Sequence, residues 1–441
     1  MLKGKADACE IFFSSQEGFT VEVKDRKVDS STVSSSQGVG LRVIKGKRLG
    51  FSFSSDLSPE SLKRAVEDAL MGAQGVSVDE LLGFPPPHEI ISGDLGLYDP
   101  TLFDVQANIE KALTMEDVAL GFDPRVKKIQ KAIYQTSSLH ARIINSSGVD
   151  LSQAFTFVTA SLTAIAEDGG DAQMGWDMEL SHISNEVDVV KVGRMAARRA
   201  VDMLGARVVK GGRYPAVLEN TVAVEFLETL APSFLADNLH KGKSMLRGKK
   251  GQRIFSQAID IWDNGLLPKG WGTSYFDGEG VPRQKTPLVV EGVCQGYLYD
   301  TYWARRGGML STGNSSRTGF KVIPGVSVSN MHIEKGEVGL EDLIGGIKKG
   351  LFITGLLGVN TANTVTGEFS FGATGFWIEG GKVAYPVRGV AIAGDLIGLF
   401  SKVDRVGSDI RFLGRVGAPS LYLREIEISG GDPGKKAVNA K

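Results

Sequence analysis

The sequence predicts an α+β protein with two domains: an N-terminal domain of strands and helices over residues 1–210, and a strand-rich, Gly-rich C-terminal domain of mixed or antiparallel sheet over residues 211–441. Three observations predict this class. The chain has 441 residues, whereas a typical domain has about 150. Its 56 glycines are scattered between strand-like runs, which is typical of many turns and bulges. A run of strands followed by a helix recurs in both halves, which favours α+β over a doubly wound sheet.

The chain opens with two predicted hairpins, whose turns lie at residues 24–26 and 45–47. A helix then begins after Ser58, a good N-cap, with Pro59 in the first helical position. Its apolar stripe consists of Leu62, Ala65, Val66, Ala69 and Leu70. Gly72 predicts its end, so the first unit is a set of strands with one packed helix.

A Pro-rich segment near residues 83–100 is predicted to be a linker, because residues 85–87 are three consecutive prolines. A second helix is expected over about 103–120, capped by Asp99 or Thr101. Strands at 127–136, 141–145, 153–166 and around 174–180 follow, and then a third helix over about 187–204. This domain therefore repeats the order of strands and helices.

The C-terminal domain is expected to begin after Gly211-Gly212. A helix is predicted over about 221–239, and Pro232 should kink or break it. Gly380-Gly381 is a two-residue hairpin signal, and a further helix starts near Leu340. A sheet without closure would leave edges, so we expect oligomerisation, and the chain alone could form a homodimer.

Composition and charge exclude several classes of protein. The chain has 50 Lys and Arg residues and 51 Asp and Glu residues. The resulting net charge of −1 argues against electrostatic binding of the chain as a whole to nucleic acid or an anionic membrane. Two cysteines exclude a disulfide framework. Neither a signal peptide nor an apolar run of membrane-spanning length is visible, which predicts a cytoplasmic protein without a membrane partner.

Short catalytic motifs are weak or missing. The chain has no G-x-G-x-x-G, no complete phosphate-binding loop and no G-x-S-x-G. Its five histidines lie far apart, and none has a second His or Cys at the spacing that one helix face needs to hold zinc. Lys241 and Arg253 bound a basic run without acids. Two interpretations are open: a solvated loop, or a contact for an acidic peptide, a partner or nucleic acid.

Several long stretches resemble the TldD/PmbA family, also called the modulator of DNA gyrase family. The clearest are residues 360–387 (NTANTVTGEFSFGATGFWIEGGKVAYPV) and 391–395 (AIAGD), together with 311–317 (STGNSSR) and 274–280 (SYFDGEG). The resemblance covers nearly the whole chain. It implies a cytoplasmic metallopeptidase that processes small peptides or unfolded polypeptides.

The family has two branches, and the resemblance sorts this chain into one of them. TldD-type members carry H-E-x-x-x-H and a cysteine near the C-terminus, which together bind zinc. Here the motif falls on residues 227–232: Glu228 is present, but Leu227 and Pro232 replace the histidines, and no cysteine follows Cys294. The chain therefore resembles the PmbA/TldE-type branch, a non-catalytic subunit without a cofactor of its own. A TldD-type subunit is the implied partner, and zinc is expected there.

Three hypotheses follow from the sequence. The first is that the chain is the PmbA/TldE-type, non-catalytic subunit of a heteromeric metallopeptidase. The second is an autonomous peptidase with a non-family site, whose first candidates are His240, His332, Glu228 and Asp237. The third is direct binding to DNA gyrase or nucleic acid through residues 241–253. Candidate residues for peptide or partner binding are Asn314, Arg317, Thr366, Glu368, Lys241, Lys249 and Lys250.

Overall fold

One six-stranded antiparallel sheet organises the first half of the protein. The computed structural model describes residues 4–91 and 93–431. The strands of this sheet are β1 (Ala8–Lys24), β2 (Lys27–Lys45), β3 (Arg48–Ser54), β4 (Val126–Asn145), β5 (Asp150–Asp168) and β6 (Asp171–Ser181). They lie in the order β3-β2-β1-β4-β5-β6. Each strand pairs with its neighbour in an antiparallel register.

These strands are longer than the sequence pattern predicts. β2 is exposed throughout its first part, from Lys27 to Gln37, so it lacks the alternation of apolar and polar residues that marks a half-buried strand. The predicted first turn is confirmed: Asp25 and Arg26 have φ angles of 55° and 59°, as a tight hairpin turn requires.

Three helices cover this sheet: α1 (Pro59–Gln74), α2 (Val105–Gly121) and α3 (Val189–Asp202). Ser58 Oγ accepts a hydrogen bond from Ser61 N, which confirms the predicted N-cap of α1. α2 is capped by Asp104, so the expected caps Asp99 and Thr101 were wrong. Asp99 instead accepts hydrogen bonds from Thr101 and Ser184 and ties the linker to the end of β6.

The second half contains a closed ring of strands. It is built from β7 (Gly212–Leu218), β14 (Lys349–Leu357), β15 (Glu368–Glu379), β16 (Lys382–Asp395) and β20 (Leu421–Ser429). The order of these five is β16-β15-β14-β7-β20, and β16 pairs again with β20 through Ala391 and Ile392. A short sixth strand, Val403–Val406, pairs antiparallel with β20. The expectation of a sheet without closure was therefore wrong for this ring. The Gly380-Gly381 hairpin between β15 and β16 is confirmed.

A second, mixed sheet lies beside the ring. The remaining strands of this half are β8 (Ile261–Asn264), β9 (Lys285–Val290), β10 (Val293–Cys294), β11 (Ser315–Ser316), β12 (Gly325–Val326), β13 (Met331–Ile333), β17 (Val403–Val406), β18 (Arg411–Leu413) and β19 (Val416–Ala418). Six of them form the mixed sheet in the order β10-β9-β8-β13-β19-β18. Together the sheets and helices confirm the α+β class. Across residues 4–91 and 93–431, none of the helices is both long and apolar enough to cross a membrane.

The predicted long helix after β7 is interrupted, as Pro232 suggests. The structure has α4 (Asn220–Leu230), a 3₁₀ turn over residues 231–234, and α5 (Ala236–His240). Proline has no N–H to continue the helical ladder, so α4 ends just before it. The short helices α6 (Thr301–Gly307), α7 (Leu340–Gly345) and α8 (Leu396–Ser401) complete the second half.

Candidate functional site

The positions of the zinc motif lie on α4 and on the turn after it. Leu227 is fully buried in the core of the second half. Pro232 lies in the 3₁₀ turn, and Glu228 lies on the exposed side of α4. Leucine and proline side chains carry no donor atoms. Only one of the motif positions therefore presents a group that could bind a metal ion.

Glu228 has a carboxyl neighbour one helical turn away. Glu225 is half-buried, and its Oε2 has no hydrogen-bond partner among the described residues. Desolvation, and then the charge of Glu228, raise the pKa of Glu225 to about 7. Desolvation also raises the pKa of Glu228. The pair can hold a proton near neutral pH, which is a property of acid–base groups and also of buried structural carboxyls.

The side chains around this pair do not fit a zinc ion. A catalytic zinc site has three protein ligands. Within residues 4–91 and 93–431, no group of three or more His, Cys, Asp or Glu side chains is placed to hold a metal ion. His332 is buried in β13 with Nδ1 3.0 Å from Asn330 O, whereas His240 stacks on Trp303. The candidates of the autonomous-peptidase hypothesis thus do not converge, and we assign no metal-dependent step to this chain.

A cavity of about 370 Å³, which we call the acidic cavity, opens between the two halves beside α5. Its lining carries four carboxyls, Asp79, Asp237, Glu279 and Asp300, against the cations Arg42 and Lys241. Desolvation, then the charge of Glu279, raise the pKa of Asp300 to about 7. Asp237 pairs with Lys241 at 2.9 Å, but its Oδ1 is buried without a hydrogen-bond partner in the described structure. The arrangement suits a cationic group.

Buried ion pairs join the two halves next to this cavity. Arg42 donates to both oxygens of Glu10, at 2.8 and 2.7 Å, and to Glu279 at 3.1 Å. Arg317 also pairs with Glu10 and donates to Gly278 O at 2.7 Å. Burial alone would raise the pKa of Glu10, but the two guanidinium groups outweigh it and hold that pKa below its ordinary value. Removing one member would leave an unpaired buried charge, so the cluster fixes the halves against each other.

Sequence reasoning missed this cluster. Glu10 and Arg42 are direct cross-strand partners in the first hairpin, and such opposite charges were the available signal. Their burial depends on the second half, from which Glu279 and Arg317 come, so the hairpin alone could not reveal it. His182 was missed for the same reason. It is fully buried, and its ring nitrogens lie 2.6 Å from Thr156 O and 3.0 Å from Gly270 O, in opposite halves.

The candidate residues for peptide or partner binding fall into two places. Asn314 and Arg317 are buried, and Asn314 donates to Asp263 at 2.7 Å. Thr366 and Glu368 are exposed and hydrogen-bond to each other at 3.1 Å.

The glycine between Thr366 and Glu368, Gly367, packs against Met245, which belongs to the basic run. That run also holds Lys241, paired with Asp237, the half-buried Lys249 and the exposed Lys250. The structure thus brings Thr366 and Glu368 close to the basic run, places Arg317 at the domain interface against Glu10, and buries Asn314 within the second half. Their roles in binding stay predictions.

Comparison with known proteins gives one consistent result along the chain. A family model described as the PmbA/TldA metallopeptidase C-terminal domain matches residues 211–430. Models of domain 1 and of the central domain of the same family match residues 9–73 and 98–204.

Individual relatives match over almost their full lengths. The chain is 27% identical over 439 residues to the protein named metalloprotease PmbA from Escherichia coli O157:H7, covering 98% of this chain and 94% of that protein. A Thermotoga maritima structure with the provisional description of a modulator of a DNA gyrase is 26% identical, with a TM-score of 0.89 and 96% of both chains covered. TldE from Thermococcus kodakarensis is 25% identical, with a TM-score of 0.89 over 97% of this chain and 98% of that one.

Proposed function

The chain belongs to the PmbA/TldD metallopeptidase family, and we propose that it is the PmbA/TldE-type, non-catalytic subunit of a cytoplasmic metallopeptidase. In this proposal a TldD-type subunit holds the zinc ion and carries out hydrolysis. The substrates are small peptides or unfolded polypeptides. This chain shapes the space in which they bind.

The observation that carries the proposal is the state of the motif on α4. The side chain at position 227 is part of the hydrophobic core and has no exposed surface. Position 232 is a proline in the 3₁₀ turn after α4, so it carries no donor atom and does not lie on the same helix as position 228. Glu228 alone cannot hold zinc. The packing of position 227 and the backbone at position 232 therefore support the proposal, in addition to the residue types.

Further support comes from the cavity between the halves. Its volume of about 370 Å³ is in the range of pockets that bind small ligands. The structure of TldE from Thermococcus kodakarensis has the same overall fold. A subunit of this shape can contribute walls and charges to a peptide-binding chamber without performing the chemistry.

The metal content of this chain and the activity of the pair test the proposal. The untagged chain, purified without chelator, should contain less than about a tenth of an equivalent of zinc, iron or manganese, because its donor set does not fit. It should have no chelator-sensitive peptidase activity alone. Co-expression with a TldD-type subunit should give a stable complex with chelator-sensitive activity.

Matched variants locate the catalytic subunit. Glu228→Gln in this chain should leave the activity of the complex unchanged, whereas the same change at the motif glutamate of the TldD-type subunit should abolish it. Near-stoichiometric metal that survives dialysis of this chain, or loss of activity with Glu228→Gln while the complex remains intact, would contradict the proposal and favour an autonomous site.

A further inference from the structure

A second cavity, of about 110 Å³, lies between the first-half sheet and loops of the second half. Its wall includes the aromatic rings of Phe12, Phe155, Phe157, Trp271 and Phe276. The same wall carries three arginines, Arg283, Arg317 and Arg415, against one carboxyl, Asp277, and the Arg317 guanidinium lies 4.7 Å from the centre of the Phe12 ring. We call this space the arginine cavity. Half-buried residues at its rim, including Trp271 and Arg415, leave it accessible from solvent.

The carboxyl of Asp277 in this cavity already accepts hydrogen bonds from backbone N–H groups. Oδ1 of Asp277 accepts hydrogen bonds from Glu279 N at 2.8 Å and Val281 N at 3.0 Å, and Oδ2 accepts one from Ser315 N at 2.9 Å. Neither Arg283 nor Arg415 forms a salt bridge within the described part of the chain, although other buried arginines such as Arg42 do. The wall therefore carries cations that lack an anion in direct contact.

The two unpaired arginines are bound mostly by neutral groups. Arg283 donates to Ser274 Oγ at 3.1 Å and Gly313 O at 2.7 Å, and Arg415 donates to Ser316 Oγ at 3.3 Å. Burial lowers the pKa of both guanidinium groups. Asp263 attracts both, but it does not line the cavity. Its oxygens accept hydrogen bonds from Asn314 and Ser329.

Two polar atoms in this wall also lack partners. Nη1 of Arg317 and Oγ of Ser315 are buried and have no hydrogen-bond partner among the described residues. The Arg317 side chain is only 2% exposed, and Ser315 is fully buried. Both atoms are sealed from the open space of the cavity, so they lie behind its wall and do not bind its occupant directly. Both residues line the same cavity as the two unpaired arginines.

We propose that the arginine cavity binds a carboxylate that carries an apolar side chain, and that the occupant is the C-terminal residue of a peptide. The guanidinium groups of Arg283 and Arg415, which have donors that neither a carboxylate nor a carbonyl oxygen uses, bind the carboxylate, and the aromatic rings receive the side chain. A single buried water needs about 10–15 Å³. The cavity therefore has room for a carboxylate and part of a side chain, and not for a long segment.

The aromatic rings favour this occupant over inorganic phosphate, which has no apolar group to contact them. The carboxylate chemistry is read from the cavity alone. The identification of the carboxylate as a peptide terminus rests on the proposed function. Binding is tested on this chain without a TldD-type subunit, so failure to form the heteromeric complex and failure of this site are separate results.

The test is calorimetric titration of the full chain with N-acetylphenylalanine and with its neutral analogue, N-acetylphenylalaninamide. We expect the acid to bind and the amide to bind at least about tenfold more weakly, because the amide loses the charge-assisted hydrogen bonds. A hexapeptide that ends in phenylalanine should bind as the free acid and not as the C-terminal amide. Equal binding of acid and amide, or equal binding of inorganic phosphate, would overturn the carboxylate assignment. Binding of N-acetylphenylalanine but not of the hexapeptide acid would overturn the identification of the occupant as a peptide C-terminus.

Three variants locate the site. Arg415→Met should weaken binding of N-acetylphenylalanine by about tenfold or more, whereas Ser315→Ala should leave it unchanged, because the Ser315 hydroxyl is sealed from the cavity. Neither should lower the thermal stability of the unliganded chain, since each removes a desolvated polar group without a strong partner. Arg405→Met is the matched control. Arg405 is also half-buried and donates to two carbonyl oxygens, those of Asp342 and Leu343, but it lies outside the cavity. Unchanged binding in Arg415→Met, or equal loss in Arg405→Met, would contradict the proposal.

Discussion

Glu225 shows what a single buried carboxyl does to the pH dependence of the molecule. Its pKa rises from an ordinary value of 4.5 to about 7 in the folded chain, through desolvation and then the charge of Glu228. The folded state therefore holds the proton over a range in which the unfolded state releases it. The stability that this group contributes is fully present below about pH 4.5 and is lost as the pH rises towards about 7.

Replacement of Glu225 by glutamine should remove this loss. One pKa unit corresponds to about 1.4 kcal/mol, and the partial exposure of the side chain reduces the effect, so we expect Glu225→Gln to raise the free energy of unfolding at pH 8 by roughly 1–3 kcal/mol. At pH 4.5 the gain should be close to zero. Urea unfolding at both pH values measures it, with the exposed Glu67→Gln as control. A gain that is equal at both pH values would show that titration of Glu225 is not the cause.

The sequence could predict the metal-motif positions but not the environment of single residues. The lack of metal-binding atoms at Leu227 and Pro232 can be predicted, because the family resemblance aligns these residues with a motif whose ligand chemistry is known. Glu225 lies two residues before that motif, and its pKa depends on how α4 packs. Arg415 and Ser315 belong to a cavity that forms only when both halves are in contact. No local pattern encodes that contact.

At the scale of elements, helices were more predictable than strands, because their ends carry chemical signals. Ser58 and Pro59 mark the start of α1 correctly. β4 runs without a break from Val126 to Asn145, whereas the sequence pattern suggested two strands there. A long strand in the middle of a sheet takes its register from both neighbours, and polar stretches within it look like turns when read alone.

Gly50 lies in strand β3 directly beneath helix α1, where the two elements are in close contact. A Cβ atom at this position would lie 1.8 Å from Ala69 O, so the helix would have to move. We expect Gly50→Ala to lower the free energy of unfolding by about 1–3 kcal/mol through overpacking. Chemical unfolding measures the change.

Gly121 provides the matched control, because it is the last residue of α2 and a Cβ atom added there would have no neighbouring atom within 4 Å. Gly121→Ala should be neutral or stabilise by up to about 1 kcal/mol, because alanine reduces the freedom of the unfolded chain. If Gly50→Ala were as harmless as Gly121→Ala, α1 would not be packed on β3 as closely as the structure shows.

At the scale of the whole molecule, polar contacts and a small apolar cluster around Ile143, Val149 and Phe276 hold the interface between the halves. The ion pairs around Glu10 and Arg42, the two carbonyl contacts of His182 and both cavities lie along it. The closed strand ring leaves fewer free edges in the second half than an open sheet would. The expected oligomer therefore needs another surface, and the candidates among the sheets include the edge strands β3 and β6 of the first-half sheet and β10 and β18 of the mixed sheet.

The distribution of charge over the molecule leads to the last prediction, that this chain does not bind duplex DNA tightly. The net charge is −1, and two cations of the basic run are engaged: Lys241 pairs with Asp237, and Arg253 donates to Glu291 O. Fluorescence anisotropy with a short duplex should show at most non-specific binding, with a dissociation constant no tighter than about 10⁻⁶ M at physiological salt.

The double variant Lys249→Glu/Lys250→Glu should change this dissociation constant no more than Lys348→Glu/Lys349→Glu, an exposed lysine pair elsewhere on the surface. Tighter binding that falls steeply with salt and is lost only in the Lys249/Lys250 variant would instead make the basic run a nucleic-acid contact. It would also give direct modulation of gyrase a physical basis that the present charge distribution does not provide.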